Sequence, residues 1–111
     1  MEELNDAYAA VEESVDDSGV ALVRISGEVD ISNVATIEAR LVAITSRLDS
    51  APAVDLSQLT FMDSSGIAML LRVAERIGPL TIKDPSQIAR QIITATGLGE
   101  VLRMDGAAPT A

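Results

Sequence analysis

The chain has 111 residues, 48% of them apolar, with a formal net charge of −9, one Phe, one Tyr and no Trp, Cys or His. Such a chain is long enough for a single globular domain, and its core must be aliphatic. The missing Cys and His exclude disulfides, thiolate nucleophiles and Cys-ligated metals, and remove the commonest metal ligand and general base.

The charge is uneven. Residues 1–17 carry seven acidic groups and no basic one, and the rest of the chain sets ten acids against eight bases. The folded body is therefore nearly balanced behind an acidic N-terminal stretch. Nothing resembles a basic nucleic-acid footprint, and the excess of negative charge opposes docking on anionic lipid. No apolar run approaches the roughly 18 residues of a spanning helix and no signal peptide is visible, so a soluble cytoplasmic protein is expected.

In chain order, residues 1–7 read as an acidic extension, frayed or partly ordered. Residues 8–15 have strand character, Asp16-Asp17-Ser18-Gly19 is a turn signal, and residues 20–26 form a second strand rich in β-branched residues, so the three read as a hairpin. Gly27-Glu28-Val29-Asp30 leads out of it. Ser32 or Asn33 is placed to cap a helix reaching about Asp49, with Val34, Ile37, Leu41, Ile44 and Leu48 as its apolar stripe. Residues 53–56 are short and apolar, as a central parallel strand should be. Leu59 and Phe61 lie in a connection that packs down. A second helix follows, with Ile67, Leu70, Leu71, Ala74 and Ile77 on its inner face, and Gly78-Pro79 stops it. Residues 80–83 are a strand, and Asp84-Pro85-Ser86 turns into a third helix with Ile88, Ile92 and Ala95 inward. Gly97 ends that helix, with Leu98 folding back on Ile93. Residues 101–104 are a last strand or short helix, and 105–111 are a flexible tail. The predicted fold is α/β: a mixed four- to five-stranded sheet, made of a hairpin and then strand–helix units, packed with three or four helices in one domain spanning 8–104.

The chemistry concentrates at the start of the second helix. Asp63 stands at its N-cap, and Ser64, Ser65 and Gly66 occupy its first turn. The N–H groups there lack intrahelical partners and carry a partial positive charge, so hydroxyls held there can receive a phosphate. The same three polar residues also suit simple capping, and spacing alone does not separate Ser64 from Ser65. Met62, Met69 and Met104 read first as core. Met69 lies off the Ile67–Leu70–Ile77 face and is the best candidate among them for an exposed partner contact.

The stretch LSQLTFMDSSGIAMLL resembles the signature of the STAS-domain anti-sigma factor antagonists, in which the first serine after the aspartate is phosphorylated. The resemblance extends to Gly27-Glu28-Val29-Asp30, to Asp84-Pro85-Ser86 and to Thr96-Gly97-Leu98. It implies that Ser64 is the acceptor, with Ser65 as runner-up, and that Asp30, Asp63, Ser65 and Gly66 belong to the partner-binding turn. Asp30 serves equally as a helix cap. The resemblance also implies a mechanism. The unmodified protein binds an anti-sigma factor serine kinase and releases the sigma factor, phosphorylation blocks that binding, and a phosphoserine phosphatase restores it. No catalytic residue, cofactor or metal is implied, and no direct contact with nucleic acid or membrane; a monomer is expected. An alternative is a STAS-like structural or regulatory subunit of an anion or lipid transport complex, with no phospho-switch. An enzyme is disfavoured, since His, Cys and any GxxxxGK[ST] phosphate loop are absent.

Overall fold

In the computed structural model, which describes residues 3–5, 8–49, 51–99 and 101–105, seven strands form one mixed sheet carrying three helices. The strands are β1 (Glu3–Asn5), β2 (Ala9–Val15), β3 (Ala21–Val29), β4 (Ala53–Asp55), β5 (Leu59–Met62), β6 (Leu80–Lys83) and β7 (Leu102–Asp105), and the helices are α1 (Val34–Thr45), α2 (Ser64–Ile77) and α3 (Gln87–Thr96). The order across the sheet is β1-β2-β3-β4-β6-β7, and β5 pairs with β3 beyond the end of β4. β1, β2 and β3 are antiparallel, whereas β3, β4, β6 and β7 run parallel and are joined through helices. The hairpin turn is tied by the Asp16 carboxylate, which accepts from the Ser18 amide and hydroxyl and from the Val20 amide.

Two strands lie where the sequence shows none. β1 falls in the stretch expected to fray or be partly ordered; it satisfies its backbone groups by pairing with β2. Asp105, the first residue of the expected tail, ends β7, and the other residues of the expected extension and tail lie outside the described residues. β5 occupies the expected connection, because Leu59 to Met62 run alongside Gly27 to Val29. Gly27 to Val29 accordingly continue β3 rather than leading out of it.

Residues on alternate positions of the sheet fill the core: Val11, Val23, Ile25, Val54, Leu80, Ile82 and Leu102 are all buried. α1 supplies Val34, Ile37, Leu41 and Ile44, as its spacing predicts, and packs against α2. The inner face of α3 is turned by one residue from the expected one. Ala89 and Ile93 are buried, Ile88 and Ile92 are half-buried, and Ala95 is exposed. The Ser86 cap on the Ala89 amide and the left-handed Gly97, with the Leu98 amide bonded to the Ile93 carbonyl, fix that rotation.

α2 brings the main correction. Met69 is fully buried and cannot be an exposed partner contact. The buried face of α2 is Gly66, Ile67, Met69, Leu70, Val73 and Ala74, wider than a single stripe because the helix meets both α1 and the strands. Met69 stands in the middle of it, three residues after Gly66 and four before Val73. Met69→Ala is therefore expected to cost about 2–5 kcal/mol of stability, the usual range for such a cavity, whereas the volume-conserving Met69→Leu should cost less than about 1.5. Urea unfolding of the two variants checks this; equal, near-zero losses would mean a surface residue.

On the other side of the sheet the register sets Glu12, Arg24, Asp55 and Lys83 in one row of alternating charge. Asp55 is buried there, and the Arg24 guanidinium meets its Oδ2 at 3.0–3.1 Å. Burial pushes the Asp55 carboxyl up, but the Ser57 hydroxyl and amide and the Arg24 guanidinium outweigh it and hold the group below the ordinary aspartate range. A depressed carboxyl contributes stability that is present above the unfolded value of about 3.9 and is lost as pH falls through the folded one. Asp55→Asn should lower the thermal midpoint at pH 7 and flatten its decline below about pH 4. Thermal scans across that range test the sign.

Candidate functional site

β3 and β5 run parallel and end side by side, with Val29 opposite Met62. The chain leaves both strands at the same edge, where open α/β sheets present their ligand sites. From β3 it enters the loop 30–33 and then α1; from β5 it enters Asp63 and then α2. The Asp63 amide donates to the Val29 carbonyl at 3.3 Å, which joins the two exits.

Asp63 is the N-cap of α2 in extended conformation, and its Oδ1 accepts the Ser65 amide at 2.9 Å and the Ser65 hydroxyl. The Ser65 hydroxyl, and after it the amides of Ser65, Gly66 and Ile31, hold the Asp63 carboxyl below the ordinary range against the opposing effect of desolvation. The two neighbouring serines thus differ. Ser65 is half-buried and its hydroxyl is committed to the cap. Ser64, the first helical residue, is exposed, and no hydrogen bond of its hydroxyl is found among the described residues.

Gly66 lies in the same turn, two residues after Ser64. It is buried, and a Cβ there would stand 2.4 Å from Met62 Cγ, 2.9 Å from Met62 Sδ and 3.2 Å from Val29 Cγ1. Its missing side chain lets α2 settle onto the ends of β3 and β5; the close approach is from beneath, not from the solvent side.

Asp30 shapes the facing loop. Its Oδ1 accepts the Ser32 amide at 2.9 Å and the Ser32 hydroxyl, and its carbonyl receives the amides of Asn33 and Val34. Asn33, expected as one of two possible caps, occupies the N-cap of α1 but makes no side-chain cap bond. It is buried, with Oδ1 accepting the Asp30 amide at 3.0 Å and Nδ2 donating to the Glu28 carbonyl at 2.9 Å. This internal brace was not legible, because Asn is an ordinary cap residue. Also missed was Ile31, 76% exposed beside Asp63. Its signal was a lone aliphatic residue inside a polar turn with no helical stripe to join.

Of the residues singled out in the sequence, Asp30, Asp63, Ser64, Ser65 and Gly66 come together at one corner, and Met69 lies a turn deeper in the core. Among the described residues no cluster of carboxylates is suited to a metal ion. No helix among them is long and apolar enough to cross a membrane.

The family model described as Mlab, STAS domain, matches residues 13–104. The anti-sigma-F factor antagonist RsfB of Mycobacterium tuberculosis, found in two strains, is 28% identical over 92 residues, which are 80% of this chain and 75% of that protein. An anti-sigma factor antagonist from Mycobacterium paratuberculosis shares the fold, with a TM-score of 0.78 and 24% identity over 89% of this chain and 86% of that one. The anti-sigma factor antagonist SpoIIAA in its unphosphorylated form gives a TM-score of 0.64 and 26% identity over 86% of this chain and 88% of that one. With a matched region that takes in both exits, the capped turn and α2, the chain belongs to the STAS-domain family.

Proposed function

We propose that the protein is a cytoplasmic anti-sigma factor antagonist switched by phosphorylation of Ser64. The unmodified form binds an anti-sigma factor serine kinase and displaces its sigma factor; the phosphorylated form does not bind, and a phosphoserine phosphatase resets it. The observation that carries the reading is the division of labour between the serines: the Ser65 hydroxyl serves the cap, while Ser64 is offered to solvent on the helix N-terminus. The likeness to RsfB and SpoIIAA supports the antagonist role. Asp30 and Ile31 border the acceptor and extend the contact surface across the loop before α1. The chain acts as substrate and ligand of its kinase rather than as an enzyme.

A pull-down from native lysate with unmodified protein, Ser64→Ala and Ser64→Asp tests the reading. The first two should retain an ATP-binding anti-sigma kinase and the third should lose it. Retention of the same transport-complex subunits by all three would replace the switch with the subunit role.

A further inference from the structure

The sequence contains one Tyr and one Phe, and the fold buries neither. Tyr8 is 62% and Phe61 42% exposed, although an aromatic ring is the largest apolar group the core could have used. The two are not scattered. Ala9 lies opposite Gly27 and the Glu28 amide donates to the Tyr8 carbonyl at 2.7 Å, so Tyr8 stands alongside Glu28. Glu28 in turn lies opposite Phe61. Tyr8, just before β2, Glu28 on β3 and Phe61 on β5 therefore form one row, with an exposed carboxylate between two exposed rings.

The backbone is bent to make this row. The β3–β5 register shifts between Gly27 and Glu28, and Gly27 sits at φ +86° with the Tyr8 carbonyl where its Cβ would be. The row is also separate from the acceptor turn. Met62 packs beneath Gly66 of α2, and Phe61, its neighbour along β5, faces the opposite way, as alternate strand residues do.

A carboxylate flanked by aromatic rings suits a guanidinium. The carboxylate takes its N–H groups, and the rings take its planar, weakly hydrated face. Arg24, on the same side of β3 and about 13 Å away along the strand, is engaged with Asp55 and does not fill this role. Residues 1–17, the stretch that contains Tyr8, carry seven acids and no base, which favours a basic partner and opposes a second copy of the same chain.

We propose that the Tyr8–Glu28–Phe61 row is a docking surface for an arginine-bearing segment of a protein partner, distinct from the Ser64 turn and usable whether or not Ser64 is modified.

The test is an NMR titration of the full-length 15N-labelled protein with a short blocked peptide, Leu-Arg-Leu, and with its citrulline counterpart, which keeps the shape and loses the charge. Shifts should centre on the amides of Tyr8, Glu28 and Phe61, and the citrulline peptide should bind at least about fivefold more weakly. Glu28→Gln, and Phe61→Leu, which keeps apolar bulk and removes the ring, should each weaken the arginine peptide by a similar factor. The rest of the spectrum reports whether each variant is folded. Ser64→Asp should leave binding unchanged, so this result stands apart from the pull-down. Equal affinity for the two peptides, shifts centred elsewhere, or shifts that grow with protein concentration alone, as a self-associating surface would give, would each overturn the proposal.

Discussion

Phosphorylated Ser64 is expected to bind the anti-sigma kinase at least about a hundredfold more weakly than the unmodified protein, while its unfolding midpoint stays within a few degrees. The two halves of this expectation come from one geometry. A phosphate adds about −1.5 to −2 charge. On the first residue of α2 it meets a helix N-terminus, which favours anions by about 0.3–1 kcal/mol. Asp63 next to it opposes this by like-charge repulsion, and solvent screens both effects at an exposed side chain. The two nearly cancel, so the fold has little reason to change. A partner packed over Ser64 removes the solvent, and an unpaired buried dianion then costs several kcal/mol. At about 1.4 kcal/mol per decade, that exceeds a hundredfold in affinity. Calorimetric titration of the two forms against the kinase, with differential scanning of each, measures both quantities. A phosphorylated protein that binds as well as the unmodified one, or loses binding only by unfolding, would sink the account.

The largest stability loss from a single methyl group is expected at Gly27→Ala. Three glycines give a graded series. At Gly27 the backbone is left-handed, φ +86°, and the new Cβ would stand 2.1 Å from the Tyr8 carbonyl oxygen. That oxygen accepts the Glu28 amide, and the Gly27 amide donates to the Gln58 carbonyl, so neither neighbour can retreat without breaking a backbone hydrogen bond. Overpacking of about 1–3 kcal/mol and a left-handed penalty of about 1–2 add to roughly 3 kcal/mol or more. At about 5 °C per kcal/mol for a domain this size, the midpoint should fall by about 15 °C. Gly66→Ala meets mainly the flexible Met62 side chain and should cost about 1–2 kcal/mol. Gly19→Ala has open space and pays only the left-handed penalty, about 1 kcal/mol. Thermal unfolding of the three variants should rank them in that order. A Gly27→Ala protein as stable as Gly19→Ala would mean that the strand crossing is looser than the geometry describes.

Much of this corner was legible because its signals are local. The Asp63 cap, the Ser-Ser-Gly turn and the Gly78-Pro79 stop lie within a few residues of what they control, and α1 shows its stripe in its own spacing. What was hidden depends on distant partners. Four residues, Leu59 to Met62, carry no usable period and become a strand only because β3 lies beside them. Met69 is buried because α2 meets α1 as well as the sheet, a second contact that the spacing of one stripe does not show. The task of Gly66 depends on Met62 and Val29 beneath it. The difference between the two serines lies in the Ser65 hydroxyl bound to Asp63, which spacing does not show.

The aliphatic core and the exposed Tyr8 have a spectroscopic consequence. With no tryptophan, near-ultraviolet absorbance and intrinsic emission come essentially from this one phenol. It reports on the surface beside Glu28 rather than on the interior, so loss of core packing will be nearly silent in tyrosine fluorescence. A ligand settling on that row will change the emission with no label attached. In this protein the optical probe that usually follows folding is already placed to follow recognition.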